Sequence, residues 1–368
     1  MNPFRYGCVV DGEYFCPRPV LEKELSRLVS AGQNIVIQGE RRMGKTSLVC
    51  QTVRNMRKFK LLYIDLLGIR TIDDFCRKTT SAILSLDKRK SFLTSLIDLL
   101  KNIRPTLSFD PMTANPTLSV DVSATTPSDS IETILDAIEK LSEKKKICVV
   151  FDEFQDMLYL DNANSILASL RSKIQFQPSI PYIFMGSVRN SMAELFSNSR
   201  SPFYKSAALF DIGKIDDEDF IPFLKERFKS GNRSIDNQIL KRIIELSGNV
   251  SGDVQELCDA LWTVTDHNKE IDNEDIFDAL NLVFARESKS YMPILSQLTK
   301  QQLAVLKCIS LIGGENPFSV EFIKASKISN ASSIRKAILR LVNLDILYLN
   351  DGVYKFSNPF FKEWLKRQ

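Results

Sequence analysis

The chain has 368 residues, 44% hydrophobic and 26% charged, with 14 Gly and 14 Pro. At about 100–200 residues per domain this length predicts two or three folded domains, and the composition excludes a disordered or fibrous chain. No run approaches the ~20 apolar residues of a bilayer span, and Met1 to Tyr6 lacks the apolar core of a secretory signal, so no membrane partner and a cytoplasmic location are expected.

Seven cysteines stand at 8, 16, 50, 76, 148, 258 and 308 with no CxxC pair, and the one histidine is His267. Such a set reads as reduced thiols and leaves neither a zinc ligand set nor a Ser/His/Asp triad. Charge is unevenly divided: Tyr291 to Gln368 holds 11 basic and 5 acidic residues, an excess larger than the whole chain's +4. A basic carboxy-terminal module facing a polyanion and an ordinary solvated face both fit that excess.

The short apolar run Asn34 to Gln38 breaks at Gly39, and a helical pattern starts at Lys45: strand, loop, helix. Further runs at Leu61 to Leu66, Ile147 to Phe151, Tyr182 to Met185 and Ala207 to Ile212 alternate with helical segments, which predicts a parallel sheet covered by helices. The clearest helix follows Thr126-Pro127-Ser128-Asp129, carries Ile131, Ile134, Leu135, Ile138 and Leu141, and ends at Lys144-Lys145-Lys146. Before it, residues 104–126 read as a hairpin insertion. From Asp216 onward four amphipathic stretches, Phe220 to Phe228, Ile239 to Leu246, Val254 to Val264 and Ile276 to Phe284, predict an all-helical unit. After Met292-Pro293 come helices at Gln301 to Ile312, Val320 to Ala325 and Ser332 to Leu344, then a hairpin around Asn350-Asp351-Gly352, the order of a winged helix. The expected domains are 1–215, 216–292 and 293–368.

Gly39-Glu40-Arg41-Arg42-Met43-Gly44-Lys45-Thr46 is GxxxxGKT between a strand and a helix. That pattern cradles phosphates on backbone N–H groups and a helix N-terminus, with glycines where the chain turns and approaches closely. Lys45 is expected on the β/γ-phosphates and Thr46 on Mg2+. About a hundred residues later the buried strand Ile147 to Phe151 ends in Asp152-Glu153. Asp152 suits the carboxylate that organises Mg2+, and Glu153 the base that orients attacking water. The next strand ends at Gly186-Ser187, where Ser187 reads either as a sensor of phosphate or water or as a simple turn. Arg189 and Arg200 are the nearby cations, and Arg200 is the candidate arginine finger, with a plain surface charge as the competing reading. The only NK-type stretch, Asn268-Lys269-Glu270, lies in the helical unit, so guanine specificity is disfavoured.

This combination resembles the AAA-type ATPases of the archaeal-ATPase-like group, relatives of the STAND switch ATPases and of origin-recognition ATPases. The resemblance rests on Phe15-Cys16-Pro17-Arg18 with Glu22, on Arg41 to Leu48, on Asp152-Glu153-Phe154-Gln155, and on Gly186-Ser187 with Met192 and Phe196. It continues through Arg200-Ser201-Pro202-Phe203-Tyr204 to Ser357-Asn358-Pro359-Phe360-Phe361. It implies an α/β P-loop sheet with helices on both faces, a helical lid and a winged helix, with ATP and Mg2+ as cofactors and an oligomer as one assembly. It also implies that Phe15 to Arg18 wrap the adenine and that the loop from Gly39 to Ser47 holds the phosphates. Lys45, Glu153, Ser187 as sensor 1 and Arg200 would then carry catalysis, with Thr46 and Asp152 on the metal. The lid departs from the pattern: Gly248-Asn249-Val250-Ser251-Gly252-Asp253 stands where relatives often carry Gly-x-Pro, and a sensor-2 Arg is missing.

In the winged helix, Arg335, Lys336 and Arg340 suit phosphate contacts of a helix in a DNA major groove. The wing Leu349-Asn350-Asp351-Gly352-Val353 carries acid and no base, which suits a protein partner instead. The expected function is ATP binding and hydrolysis that controls the lid and the winged helix, acting on duplex DNA. The alternative is a slowly hydrolysing switch or scaffold whose winged helix binds a protein client. A small-molecule kinase is disfavoured by the paired acids.

Overall fold

The structure, a computed structural model, describes residues 2–87, 89–109, 116–120, 125–186, 189–350 and 352–368. They fall into two compact units, one of Val9–Gly213 and one joining Met1–Cys8 to Lys214–Gln368.

In the first unit the elements follow as α1 (Pro19–Ser30), β1 (Ile35–Gln38), α2 (Lys45–Asn55), β2 (Lys60–Asp65), α3 (Ile72–Ser85) and α4 (Lys90–Leu99). Then come β3 (Pro105–Phe109), β4 (Pro116–Val120), α5 (Pro127–Lys144), β5 (Ile147–Asp152), α6 (Ala163–Ile174), β6 (Tyr182–Met185), α7 (Arg189–Ser197) and β7 (Ala208–Asp211). Five strands form one parallel sheet in the order β2-β5-β6-β1-β7. All six residues of β5 and all four of β6 are buried, which is why these strands read as unbroken apolar runs. Alternate residues Val149 and Phe151, with Leu62, Ile64, Tyr182 and Phe184 of neighbouring strands, share a core with Phe75 and Ile83 of α3 and Ile131, Ile134 and Ile138 of α5. The Phe151 ring lies beside both Tyr182 and Phe184, at centroid distances of 6.2 and 6.0 Å. Strands β3 and β4 pair antiparallel from Pro105↔Val120 to Phe109↔Pro116; the rest of the expected insertion, residues 110–115 and 121–124, lies outside the described residues.

Local sequence signals set the helix ends. Thr71 and Asp74 close a capping box on α3, and the Thr126 side chain caps α5 with Pro127 at its first position.

The second unit holds α8 (Asp217–Lys229), β8 (Ser234–Ile235), α9 (Asn237–Leu246), α10 (Ser251–Val264), β9 (Glu270–Ile271) and α11 (Asn273–Ser296). It closes with α12 (Lys300–Ile312), α13 (Val320–Ser326), α14 (Ala331–Asn343), the hairpin β10 (Leu347–Asn350) and β11 (Val353–Phe356), and α15 (Pro359–Lys366). Three features differ from the expectation. The helical stretch is not purely helical, because β8 and β9 form a two-residue parallel pair that buries Ile235 and Ile271. The expected boundary between residues 292 and 293 falls inside α11, which runs through Pro293 and stops one turn later, where a missing N–H costs little against the packing of its flanks. Finally, Asn358 accepts hydrogen bonds from the N–H groups of Phe360 and Phe361 and starts α15.

Helix α15 binds the winged helix to the long α11. The Arg367 guanidinium lies 4.6 and 4.8 Å from the ring centroids of Phe277 and Phe284 and donates to Asn281 Oδ1 at 2.8 Å. Asn358 donates to Glu287 Oε2 at 3.0 Å, and the Tyr291 hydroxyl donates to the same carboxylate. At the amino end, Phe4 packs 4.6 Å from the Phe228 ring centroid. No helix among the described residues is long and apolar enough to cross a membrane.

Candidate functional site

Between β1 and α2 the loop turns on Gly44, whose φ of 78° is left-handed and also caps the helix. Gly39 is required for space: an added Cβ would stand 2.8 Å from the Ile212 carbonyl oxygen. Arg42 also takes a left-handed backbone, φ 63°, which turns the loop between the two glycines. Lys45 is buried at 9% exposure, and its ammonium donates to the Gly39 carbonyl at 3.0 Å and the Glu40 carbonyl at 2.7 Å. The cation is thus held over the loop whose N–H groups and helix terminus already favour an anion. Met43 and Ser47 are buried, whereas Arg41 and Arg42 are exposed.

Asp152, at the end of β5, is reached from α2 across the sheet. Thr46 Oγ1 donates to Asp152 Oδ2 at 2.9 Å, the Tyr63 hydroxyl of β2 donates to the same oxygen at 2.6 Å, and the Glu153 N–H donates to Oδ1 at 2.9 Å. Burial, and then the Asp152 charge, push the Tyr63 phenol far above its ordinary range, so it stays a donor. A hydroxyl and a carboxylate oxygen this close are hard-oxygen donors of the kind Mg2+ takes, so the donor set fits that ion. Glu153 has a left-handed backbone, φ 50°, and its Oε2 accepts from the Gln155 amide at 2.6 Å. Backbone strain in a non-glycine residue is typical of functional positions.

The amino-terminal segment of this unit is stitched along α2. The Val10 N–H donates to Ser47 Oγ at 3.0 Å, the Gly12 N–H to Gln51 Oε1 at 3.2 Å, and Asp11 pairs with Arg54 at 2.8 Å. This carries Phe15 and Arg18 to the loop, both buried at 8% and 5% exposure. The Arg18 guanidinium donates to the Gly213 carbonyl at 2.7 Å and the Met43 carbonyl at 3.5 Å, joining the end of the unit to the phosphate loop.

Ser187 lies outside the described residues. Arg200 is exposed, on a segment pinned by Phe203, which is fully buried against Phe154, Phe184 and Phe196. In the second unit, Arg335, Lys336 and Arg340 are exposed on α14, where Arg335 lies 5.4 Å from the Phe318 ring centroid. Leu339, 57% exposed, sits among them. Sequence reading assigned no role to Tyr63 or Gln155. Gln155 stands two residues after Glu153 and was within reach of a motif argument, whereas Tyr63 becomes a neighbour only through the pairing of β2 with β5.

Residues 22–257 match the family described as "ATPase domain predominantly from Archaea" and residues 289–367 match a "Probable winged helix domain". The chain belongs to this archaeal-type ATPase family, with a carboxy-terminal winged helix. No curated protein matches it. Among solved structures it is similar to a Walker-type ATPase of Pyrococcus abyssi, at 17% identity and a TM-score of 0.66 over 96% of this chain and 97% of that one. It is also similar to the ORC2 protein of Aeropyrum pernix in ADPNP-ADP complexes, at 13% identity and a TM-score of 0.57 over 99% and 96%. A third is the ORC1 protein of Aeropyrum pernix in complex with DNA, at 12% identity and a TM-score of 0.51 over 97% and 94%. The P-loop ATPase fold is common to all of them.

Proposed function

We propose that the protein binds ATP with Mg2+ at the loop from Gly39 to Ser47 and hydrolyses it. The observation that carries this reading is the 2.9 Å bond from Thr46 Oγ1 to Asp152 Oδ2, which joins two motifs 106 residues apart, with Glu153 adjacent. Lys45 and the loop amides bind the β- and γ-phosphates; the ADPNP-ADP complexes of a protein of similar fold support a nucleotide here. Thr46 and Asp152 are the residues that would hold Mg2+, the carboxylate by way of the Thr46 hydroxyl and bound water, and the ion would supply charge neutralisation at the phosphates. Glu153 orients water toward the γ-phosphate and takes its proton, with its carboxylate set by Gln155. Phe15 and the braced Arg18 close the base side of the site. Arg200, exposed on an anchored segment, serves a neighbouring subunit's phosphates in an oligomer, and Ser187 senses the γ-phosphate.

Nucleotide state acts on the second unit. Arg18 supports this, because one guanidinium holds both Met43 of the phosphate loop and Gly213, the residue before that unit begins. In the first reading of its output, α14 meets duplex DNA through Arg335, Lys336 and Arg340; the basic face and the DNA-bound ORC1 structure of similar fold support it. The exposed Leu339 at the centre of that face favours a second reading, a slowly hydrolysing switch whose winged helix grips a protein client. Binding of a fluorescent ATP analogue to wild type and Lys45→Ala tests the nucleotide site: the variant should lose tight binding, and unchanged affinity would remove Lys45 and the loop from the site.

A further inference from the structure

The Tyr63–Asp152 bond belongs to no motif. In the β2–β5 register Tyr63 stands opposite Val150 and Asp65 opposite Asp152, so Tyr63 shares the face that carries Asp152 and lies two register positions before it. A carboxylate oxygen offers two lone pairs. On Asp152 Oδ2 they meet two donors, Thr46 at 2.9 Å and Tyr63 at 2.6 Å, while Oδ1 takes the Glu153 N–H. Donors from α2, from β2 and from the residue after β5 therefore fix one carboxylate, and the oxygen nearest Thr46 has its in-plane sites in use.

We propose that Tyr63 is a positioning residue for the metal end of the site. Together with Thr46 it holds Asp152 Oδ2 so that the carboxylate acts on Mg2+ from outside its ligand shell, by orienting the Thr46 hydroxyl and bound water. Mg2+ keeps several of its waters when protein-bound, so a fixed outer carboxylate suits it. The inference rests on the nucleotide reading above and adds to it a residue from the neighbouring strand.

The test uses the full chain, wild type and Tyr63→Phe, which keeps the ring and removes the hydroxyl. A fluorescent ATP analogue is bound first in EDTA and then along a Mg2+ titration. The variant should bind as wild type does in EDTA and require about tenfold more Mg2+ for half of the Mg2+-dependent signal. An unchanged Mg2+ requirement overturns the proposal. An equal loss of binding in EDTA and in Mg2+ also overturns it, since the hydroxyl would then serve structure alone. A wild-type protein whose nucleotide binding ignores Mg2+ would instead sink the metal reading on which the proposal rests, a failure visible without the variant.

Discussion

Gln155 donates its side-chain amide to the Glu153 carboxylate at 2.6 Å, while Glu153 itself holds a left-handed backbone. The same amide lies 3.3 Å from Asp156 Oδ1, and Asp156 Oδ2 accepts the Gly68 N–H at 2.6 Å. The proposed base is therefore aimed by a chain of polar groups that reaches the loop after β2.

Replacing Gln155 by Ala removes the donor and leaves the phosphate loop intact. The expected outcome is a kcat about tenfold lower, the scale of a hydrogen bond to a charged group, with ATP affinity unchanged. Steady-state kinetics with an independent binding measurement checks it; a fall in affinity with kcat preserved would contradict it.

Gly186, just after β6, packs directly on that side chain. An added Cβ would collide with Gln155 Oε1 and stand 2.6 Å from Met192 Sδ. Gly186→Ala should destabilise the protein by about 1–3 kcal/mol through overpacking. Thermal unfolding measures the loss, and adding Gln155→Ala to the same chain should restore part of it.

Asp74 closes the cap of α3. The Arg70 N–H, the Arg77 guanidinium and Thr71 bond to its carboxylate and hold it down at about 2. A carboxylate whose folded value lies below its unfolded value of about 3.9 contributes stability above that unfolded value, and loses it as pH falls toward 2. Asp74→Asn should flatten this part of the stability curve between about pH 4 and pH 2, measured by chemical denaturation at several pH values.

On α14 the two partner readings diverge. If the helix meets DNA phosphates, Lys336→Ala should weaken binding to all duplexes and lower the salt slope by about one, with Leu339→Ala near neutral. If it grips a protein instead, wild type should show no salt-dependent duplex binding for Lys336→Ala to weaken. Fluorescence anisotropy with a labelled duplex at several salt concentrations separates them.

How far the sequence reached depends on the range of each contact. The GxxxxGKT loop and Asp152-Glu153 were legible because their chemistry lies in consecutive residues, and both glycines are needed where the motif puts them. The parallel sheet was legible because doubly buried strands leave unbroken apolar runs such as Ile147 to Phe151. Tyr63 was not, since β2 and β5 are neighbours in space but separated in sequence by α3, α4, α5 and a hairpin. At Pro293 the opposite holds: a residue that disfavours helix locally is carried inside α11 by the packing of Tyr291 on Phe361 and Trp364. The start of α15 is signalled locally, by the Asn358 cap and Pro359 at the first helical position.

The central claim is that Glu153 activates water at a nucleotide held by Lys45 and Thr46. The most direct measurement is multiple-turnover ATP hydrolysis by wild type and Glu153→Gln, with bound ATP quantified in parallel. The account predicts Mg2+-dependent turnover by wild type, and a variant that retains ATP while turnover falls by at least a hundredfold, the lower end of what general-base catalysis contributes. Normal turnover by Glu153→Gln would contradict it.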